Sequence, residues 1–235
     1  ISYNSGDIKL MGKSPAELGE DEKERIGVTL AESGFSGYLK VKDIVPVMVA
    51  MYPGFDRERF LSLCRKFNIP LDKYIKEFST GMKAKLKVLA AVTHNADFLL
   101  LDEPTTGLDV TARESILDLF REYMEEDESR SILISSHISS DLEGLCDDIY
   151  IIHEGKIVLH EDMDNLLNEY GLIKADDGQY ARLDKEHILS VRRTPFGYEC
   201  LTDQKGYYRE NYPDIVVENG SLDEAITMMT GGERL

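Results

Sequence analysis

Nowhere in these 235 residues does an apolar run reach the length of a bilayer. The longest, roughly Val45 to Tyr52, falls far short of the ~20 residues a membrane-spanning helix needs, so no segment is read as crossing a membrane. Cysteine is scarce. Cys64, Cys146 and Cys200 lie far apart without metal-ligand spacing, and so sparse and odd a set fits a reducing compartment, not a disulfide framework. They read as core or surface thiols. Positive charge is also short: 27 Lys and Arg stand against 44 Asp and Glu, a net charge of -17. That balance repels polyphosphate backbones and argues against nucleic acid or an anionic lipid surface as the main partner. No basic-then-apolar leader opens the sequence, which begins with Ile1, and a segment ahead of Ile1 is expected.

What is present suits a folded protein. The length fits one large domain or one domain with a small appendage, and 42% hydrophobic residues suffice for a core. Strand and helix patterns alternate from about Gly6 to Tyr170, which favours an α/β architecture with a mostly parallel sheet. Asp56 is placed to cap a helix carrying Phe60, Leu63, Cys64 and Phe67, which Pro70 helps to stop. Thr111 with Glu114 and Ser140 with Glu143 have capping-box spacing, the first before Ile116, Phe120 and Met124. Phe98 to Leu101 and Ile132 to Ile134 lack alternation, as expected of parallel strands covered on both faces. Asp148 to His153 and Lys156 to His160 flank Glu154-Gly155, a hairpin signal, and a helix from about Met163 to Tyr170 closes this part.

Beyond Gly171 the texture changes. Asp176-Asp177-Gly178 marks a turn, and Ile188 to Val191 and Tyr198 to Leu201 flank a turn at Pro195 and Gly197. A strand at Ile215 to Val217 and a helix opened by Ser221 and Glu224 follow, giving a small α+β appendage over 171–235.

The chemistry concentrates where the strand Phe98 to Leu101 ends in Asp102-Glu103-Pro104. Ligands of parallel sheets bind at the carboxyl ends of strands, so Asp102 is placed to hold Mg²⁺, through water, and Glu103 to orient or deprotonate an attacking water. Read alone, the same string is also a strand followed by a solvated acidic turn. The next residues, Thr105-Thr106-Gly107-Leu108-Asp109, complete the string LLLDEPTTGLD. With Phe78-Ser79-Thr80-Gly81-Met82 before a helix and Ser135-Ser136-His137 after a strand, it resembles the ATPase subunits of ABC transporters.

The resemblance implies a P-loop NTPase fold of the ABC type, with the nucleotide-binding domain over residues 1–170 and its helical subdomain at about 41–95. It implies ATP and Mg²⁺ as cofactors. Ser79, Thr80 and Gly81 match the signature motif, whose helix N-terminus is an anion site for the γ-phosphate held by a second ATPase subunit. Thr80 stands for one glycine of that motif and Met82 for its glutamine. Asp109 matches the aspartate that contacts the opposing subunit, and a helix cap is its plainer role. His137 matches the switch histidine, a group that donates or accepts near neutral pH. After Ile26 to Leu30, where the family places a glutamine, stand Ala31 and Glu32, and Glu32 is a candidate Mg²⁺ ligand.

A phosphate loop is not found. Gly12-Lys13-Ser14 is a decoy: its upstream glycine, Gly6, is one place too far, and Pro15 disfavours the helix that should follow. Gly6 to Lys13 instead resembles the strand after the phosphate-loop helix, so the loop is expected before Ile1, and the chain as written is expected to be unstable alone or unable to bind ATP. The tail resembles the appendage of ABC-2-type exporter ATPases. A transmembrane permease subunit, a second ATPase subunit (homo- or heterodimer), no nucleic acid, and a cytoplasmic site at the inner face of the membrane are what this implies. Tyr38, Met48, Met51 and Tyr52 are candidates to meet the permease, with core packing the other role for the methionines. Two further readings stand beside it: an ABC ATPase of a soluble system, and a regulatory module supplying only Ser79, Gly81 and Asp109 to a partner's ATP.

Overall fold

The computed structural model describes residues 5–30 and 34–234. The chain divides into two compact units, residues 1–137 and 138–235. In the first, α1 (Glu20–Glu24) leads into β1 (Ile26–Thr29), followed by the helices α2 (Val41–Met51), α3 (Arg57–Lys66) and α4 (Thr80–Thr93). Then come β2 (Phe98–Asp102), α5 (Val110–Glu125) and β3 (Ser131–Ser135). The three strands form a parallel sheet in the order β1-β2-β3. Its register matters for everything below: Leu101 lies opposite Thr29 and Ile134, and Asp102 opposite Ser135.

Burial explains why these elements hold. Leu99 and Leu101 of β2, Leu86 and Leu89 of α4, and Ile116, Leu119, Phe120 and Tyr123 of α5 are all essentially sealed from solvent. Each such side chain contributes about 1.5–3 kcal/mol when withdrawn from water. The buried Tyr123 hydroxyl donates to the Ala96 carbonyl at 2.6 Å, which ties α5 to the turn entering β2. Arg130 fastens the same, carboxyl end of α5, reaching the Tyr123 carbonyl, Glu126 and Asn95. Asp56 caps α3 by accepting from the Arg59 amide, as its position predicts.

Several expectations give way here. Gly6 to Lys13 forms no strand: Met11 and Gly12 have positive φ, and Leu10 and Lys13 exchange backbone hydrogen bonds in a tight turn. Helix α5 opens at Val110, one residue before Thr111, because Asp109 accepts from the Ala112 amide and takes the cap. Strand β3 is not covered on both faces. Leu133 is 56% exposed, and among the described residues β3 pairs with β2 alone. In α2 Met48 is core and Met51 exposed; of the flanking tyrosines, Tyr38 is exposed and Tyr52 packs tilted against the His94 ring.

The second unit begins with α6 (Ser139–Glu143), the hairpin β4 (Asp148–His153) and β5 (Lys156–Asp162), and α7 (Met163–Glu169). Glu154 and Gly155, both with positive φ, make the two-residue turn that a right-twisted hairpin requires. Ser140 does not cap α6, which starts one residue earlier; instead Ser139 donates to Asp223, and Glu143 accepts from the Leu222 amide. Then follow β6 (Gly171–Ala175), α8 (Asp177–Arg182), β7 (Ile188–Thr194), β8 (Gly197–Thr202), α9 (Lys205–Asn211), β9 (Val216–Asn219), α10 (Leu222–Gly231) and β10 (Glu233–Arg234).

The strands from β6 onward build one antiparallel sheet in the order β10-β7-β8-β6-β9. Asp176-Asp177-Gly178 starts a helix and not a bare turn, since Asp176 and Gln179 cap each other reciprocally. Ser221 caps α10 as expected. The core of the sheet gathers Ile173, Val191, Cys200 and Tyr208. No helix among the described residues is long and apolar enough to cross a membrane.

Candidate functional site

The carboxyl end of β2 turns sharply. Glu103 adopts a left-handed backbone conformation (φ 49°), uncommon for a residue with a side chain. What holds it there is Ser135 at the level end of β3: the Glu103 amide donates to both the Ser135 carbonyl at 3.1 Å and its hydroxyl at 3.3 Å. The Ser135 hydroxyl in turn donates to Asp102 Oδ1 at 2.7 Å. One serine therefore orients both members of the acid pair.

The Glu103 side chain is fixed from two further directions. Its Oε2 accepts from the Thr106 hydroxyl at 3.0 Å and lies 2.6 Å from Nδ1 of His137. Glu103 is partly buried and His137 largely exposed. A carboxylate so aligned can accept a proton from a water in reach, and the histidine's Nε2 is left to address whatever binds there.

The turn before α4 approaches from the other side. Ser79 caps α4, its hydroxyl accepting from the Met82 amide at 3.2 Å. Gly81 is needed for space: a Cβ there would lie 2.8 Å from the Gly107 carbonyl oxygen, and Gly107 itself has a φ of 79°. The backbones of the two turns thus meet at van der Waals contact, and only glycine permits it. Asp109 lies just beyond, engaged as the cap of α5.

These pieces border a cleft of about 820 Å³ whose wall includes Thr80, Lys83, Lys87, Glu103, Thr106 and His137. Ser79, Gly81, Asp102 and Asp109 are not part of that wall, and Glu32 lies outside the described residues. In a chain of net charge -17, the lysines on this wall make a local anion-attracting field. Burial draws the Lys87 ammonium below the usual lysine range, while Asp102 opposes that shift.

The hard oxygens of Asp102, Glu103, Ser135 and Thr106 suit magnesium. Among the described residues no cluster of three or more His, Cys, Asp or Glu side chains is arranged to hold a metal by itself. A donor set of this kind fits a Mg²⁺ that arrives with phosphate oxygens supplying the rest of its shell.

Thr106, Ser135 and Lys87 were not singled out from sequence. The two hydroxyls sit inside strings that were, TTGLD and ISSH; Thr106 stands three residues from the carboxylate it serves, whereas Ser135 serves Asp102 across 33 positions and has no local signal. For the lysine the signal is periodicity: Thr80, Lys83 and Lys87 recur at i, i+3 and i+7, one face of a helix.

Residues 62–140 match the family model described as "AAA domain, putative AbiEii toxin, Type IV TA system". The ABC transporter ATP-binding protein NatA of Bacillus subtilis (strain 168) is 31% identical over 182 residues, covering 74% of this chain and 69% of NatA. The lantibiotic transport ATP-binding protein SrtF of Streptococcus pyogenes is 32% identical over 170 residues, 72% of each chain. In fold, the chain resembles the ATP-binding cassette MJ0796, solved as a dimer in a post-hydrolysis state with ADP and Pi. The TM-score is 0.58 at 18% identity, over 68% of this chain and 74% of that one. Identity at the level of NatA and SrtF, sustained over most of each protein, goes beyond a shared fold, and the chain belongs to the ATP-binding, ATPase subunits of ABC transporters.

Proposed function

We propose that this chain powers an exporter, hydrolysing ATP beside a separate transmembrane permease and a second ATPase subunit. The observation that supports it best is the Glu103 carboxylate, pinned by Thr106 and His137 at the end of the central strand and facing a lysine-bearing cleft. In this reading residues 1–170 act as the nucleotide-binding domain and 171–235 as an accessory domain, on the cytoplasmic side of the membrane. SrtF, named for lantibiotic transport, supports the transport role, and the ADP- and Pi-bound MJ0796 dimer supports the two-subunit arrangement.

Glu103 accepts a proton from the attacking water as its oxygen bonds to the γ-phosphorus and the bond from that phosphorus to the bridging oxygen breaks. Asp102 helps hold Mg²⁺, which when bound offsets charge on the phosphate oxygens. Glu32 is proposed as a further oxygen ligand. His137 keeps Glu103 oriented and contacts the γ-phosphate with its other nitrogen. Ser79, Thr80 and Gly81, at the amino end of α4, offer amide donors to the nucleotide held by the opposing subunit, which Asp109 also faces. Exposed Tyr38 and Met51 beside α2 are the proposed permease contacts.

The test is Glu103→Gln in the full-length protein assembled with its permease. Steady-state turnover should fall by roughly 10²- to 10⁴-fold while ATP binding is retained. Unchanged turnover would remove Glu103 from the chemistry and the ATPase reading with it.

A further inference from the structure

Lys87 sits on the face of α4 that lines the cleft, and its ammonium donates to the Leu30 carbonyl at 2.7 Å, where the chain leaves β1. Its stem runs beside Gly34: a Cβ built on that glycine would lie 3.5 Å from the lysine Cδ. The Asp102 carboxylate is close enough to favour the same ammonium electrostatically. One side chain therefore bonds the residue that follows β1, runs beside Gly34 and lies in the field of Asp102.

A half-buried ammonium is costly to keep, because burial strips its hydration. A methionine or leucine would fill the same space on α4 without that penalty. The lysine is matched instead to a carbonyl and a carboxylate, so its charge has a local use. The helix that carries it is capped by Ser79, and the Leu30 carbonyl that it grips follows Thr29, the register partner of Leu101, which itself precedes Asp102.

We propose that Lys87 is a positioning residue for ATP hydrolysis, bracing α4 against the carboxyl end of β1 and holding a fixed positive charge beside Asp102. The inference rests on the ATPase reading above. It assigns the lysine to the geometry of the acid pair, not to direct contact with nucleotide.

The experiment compares Lys87→Gln, Lys87→Arg and Glu103→Gln in the full-length protein, with melting curves for each. Lys87→Gln should lower kcat ~10-fold with the KM for ATP within ~2-fold, and Lys87→Arg, which keeps charge and donor, should recover to within ~3-fold of wild type. Wild-type kcat in folded Lys87→Gln overturns the proposal. So does a loss confined to KM, which would make the lysine a nucleotide contact, and so does an arginine variant as impaired as the glutamine one. Should Lys87→Gln fail to fold, the arginine variant decides by itself: retained turnover supports the brace and lost turnover overturns it. Glu103→Gln separates the two readings. If it abolishes turnover while Lys87→Gln runs at wild-type rate, only this inference falls; if it leaves turnover intact, the ATPase reading falls first.

Discussion

Nδ1 of His137 lies 2.6 Å from Oε2 of Glu103, across 34 positions of sequence. Parallel pairing of β2 with β3 is what closes that distance, since Asp102 and Ser135 are register partners and the residues just past each strand end emerge together. The pair is too exposed at the histidine to matter much for stability, where such contacts contribute about 0–1 kcal/mol. Its value is orientation of the carboxylate.

Thr106 supplies the second hold on that carboxylate. Thr106→Val deletes the donor while keeping the shape, leaving His137 as the remaining side-chain partner of Oε2. Turnover should drop by roughly 3- to 10-fold with the melting temperature nearly unchanged, corresponding to about 1 kcal/mol of lost orientation. Steady-state ATPase assays and calorimetry on the full-length protein check both halves.

Gly81→Ala should be destabilising because its methyl carbon meets the Gly107 carbonyl oxygen at 2.8 Å, and both groups belong to backbone that cannot swing aside. The expected cost is about 1–3 kcal/mol. Urea denaturation of the variant beside Thr80→Ala, a neighbour without that clash, isolates the steric effect.

Tyr123→Phe should cost about 1–2 kcal/mol, since it strands the buried Ala96 carbonyl that now accepts at 2.6 Å. The same burial pushes the phenol up to about 12, so no tyrosinate is formed there near neutral pH. A shifted urea midpoint with unchanged slope is the signature to look for.

His94 should make the protein acid-sensitive. Burial against Tyr52 holds its imidazole below the ordinary histidine range, so near neutral pH it is uncharged in both folded and unfolded chains. As pH falls below ~6.5 the unfolded state takes up a proton that the folded state refuses, and stability declines toward the lowered folded pKa. Denaturation midpoints at pH 7.5 and 5.5 should differ less in His94→Gln than in wild type.

The three thiols should be slow to react in the native state. Burial raises Cys64 and Cys146 to about 11 and Cys200 to about 12, so thiolate is rare at pH 8. Above ~8.5 the unfolded chain ionises its thiols while the folded chain does not, and stability should fall as pH rises further. Ellman's reagent at pH 8 should therefore label rapidly only after denaturant is added.

Much of the site was legible because its residues sit at fixed offsets from strands whose sequences announce themselves. Phe98 to Leu101 is followed at once by the acid pair, and Ile132 to Ile134 by Ser135-Ser136-His137, so two strand assignments carry Asp102, Glu103 and His137 with them. Asp56 and Ser221 were equally plain, each being the one capping residue in front of its helix. The cap of α5 was not, because Asp109 and Thr111 both qualify locally. The structure gives the cap to Asp109, whose carboxylate accepts from the Ala112 amide.

By itself, then, the sequence determined the parallel strands, the acid pair at the tip of β2, and the family to which they belong, since these depend on hydrophobic runs and on neighbours a few residues away. Tertiary structure alone decided that Ser135 holds the Asp102 carboxylate and the Glu103 amide, that Thr106 and His137 share one oxygen of Glu103, and that Lys87 reaches the end of β1. Those are contacts between elements, fixed by strand register and by which helix face turns toward the sheet. Neither quantity is written in any short stretch of residues.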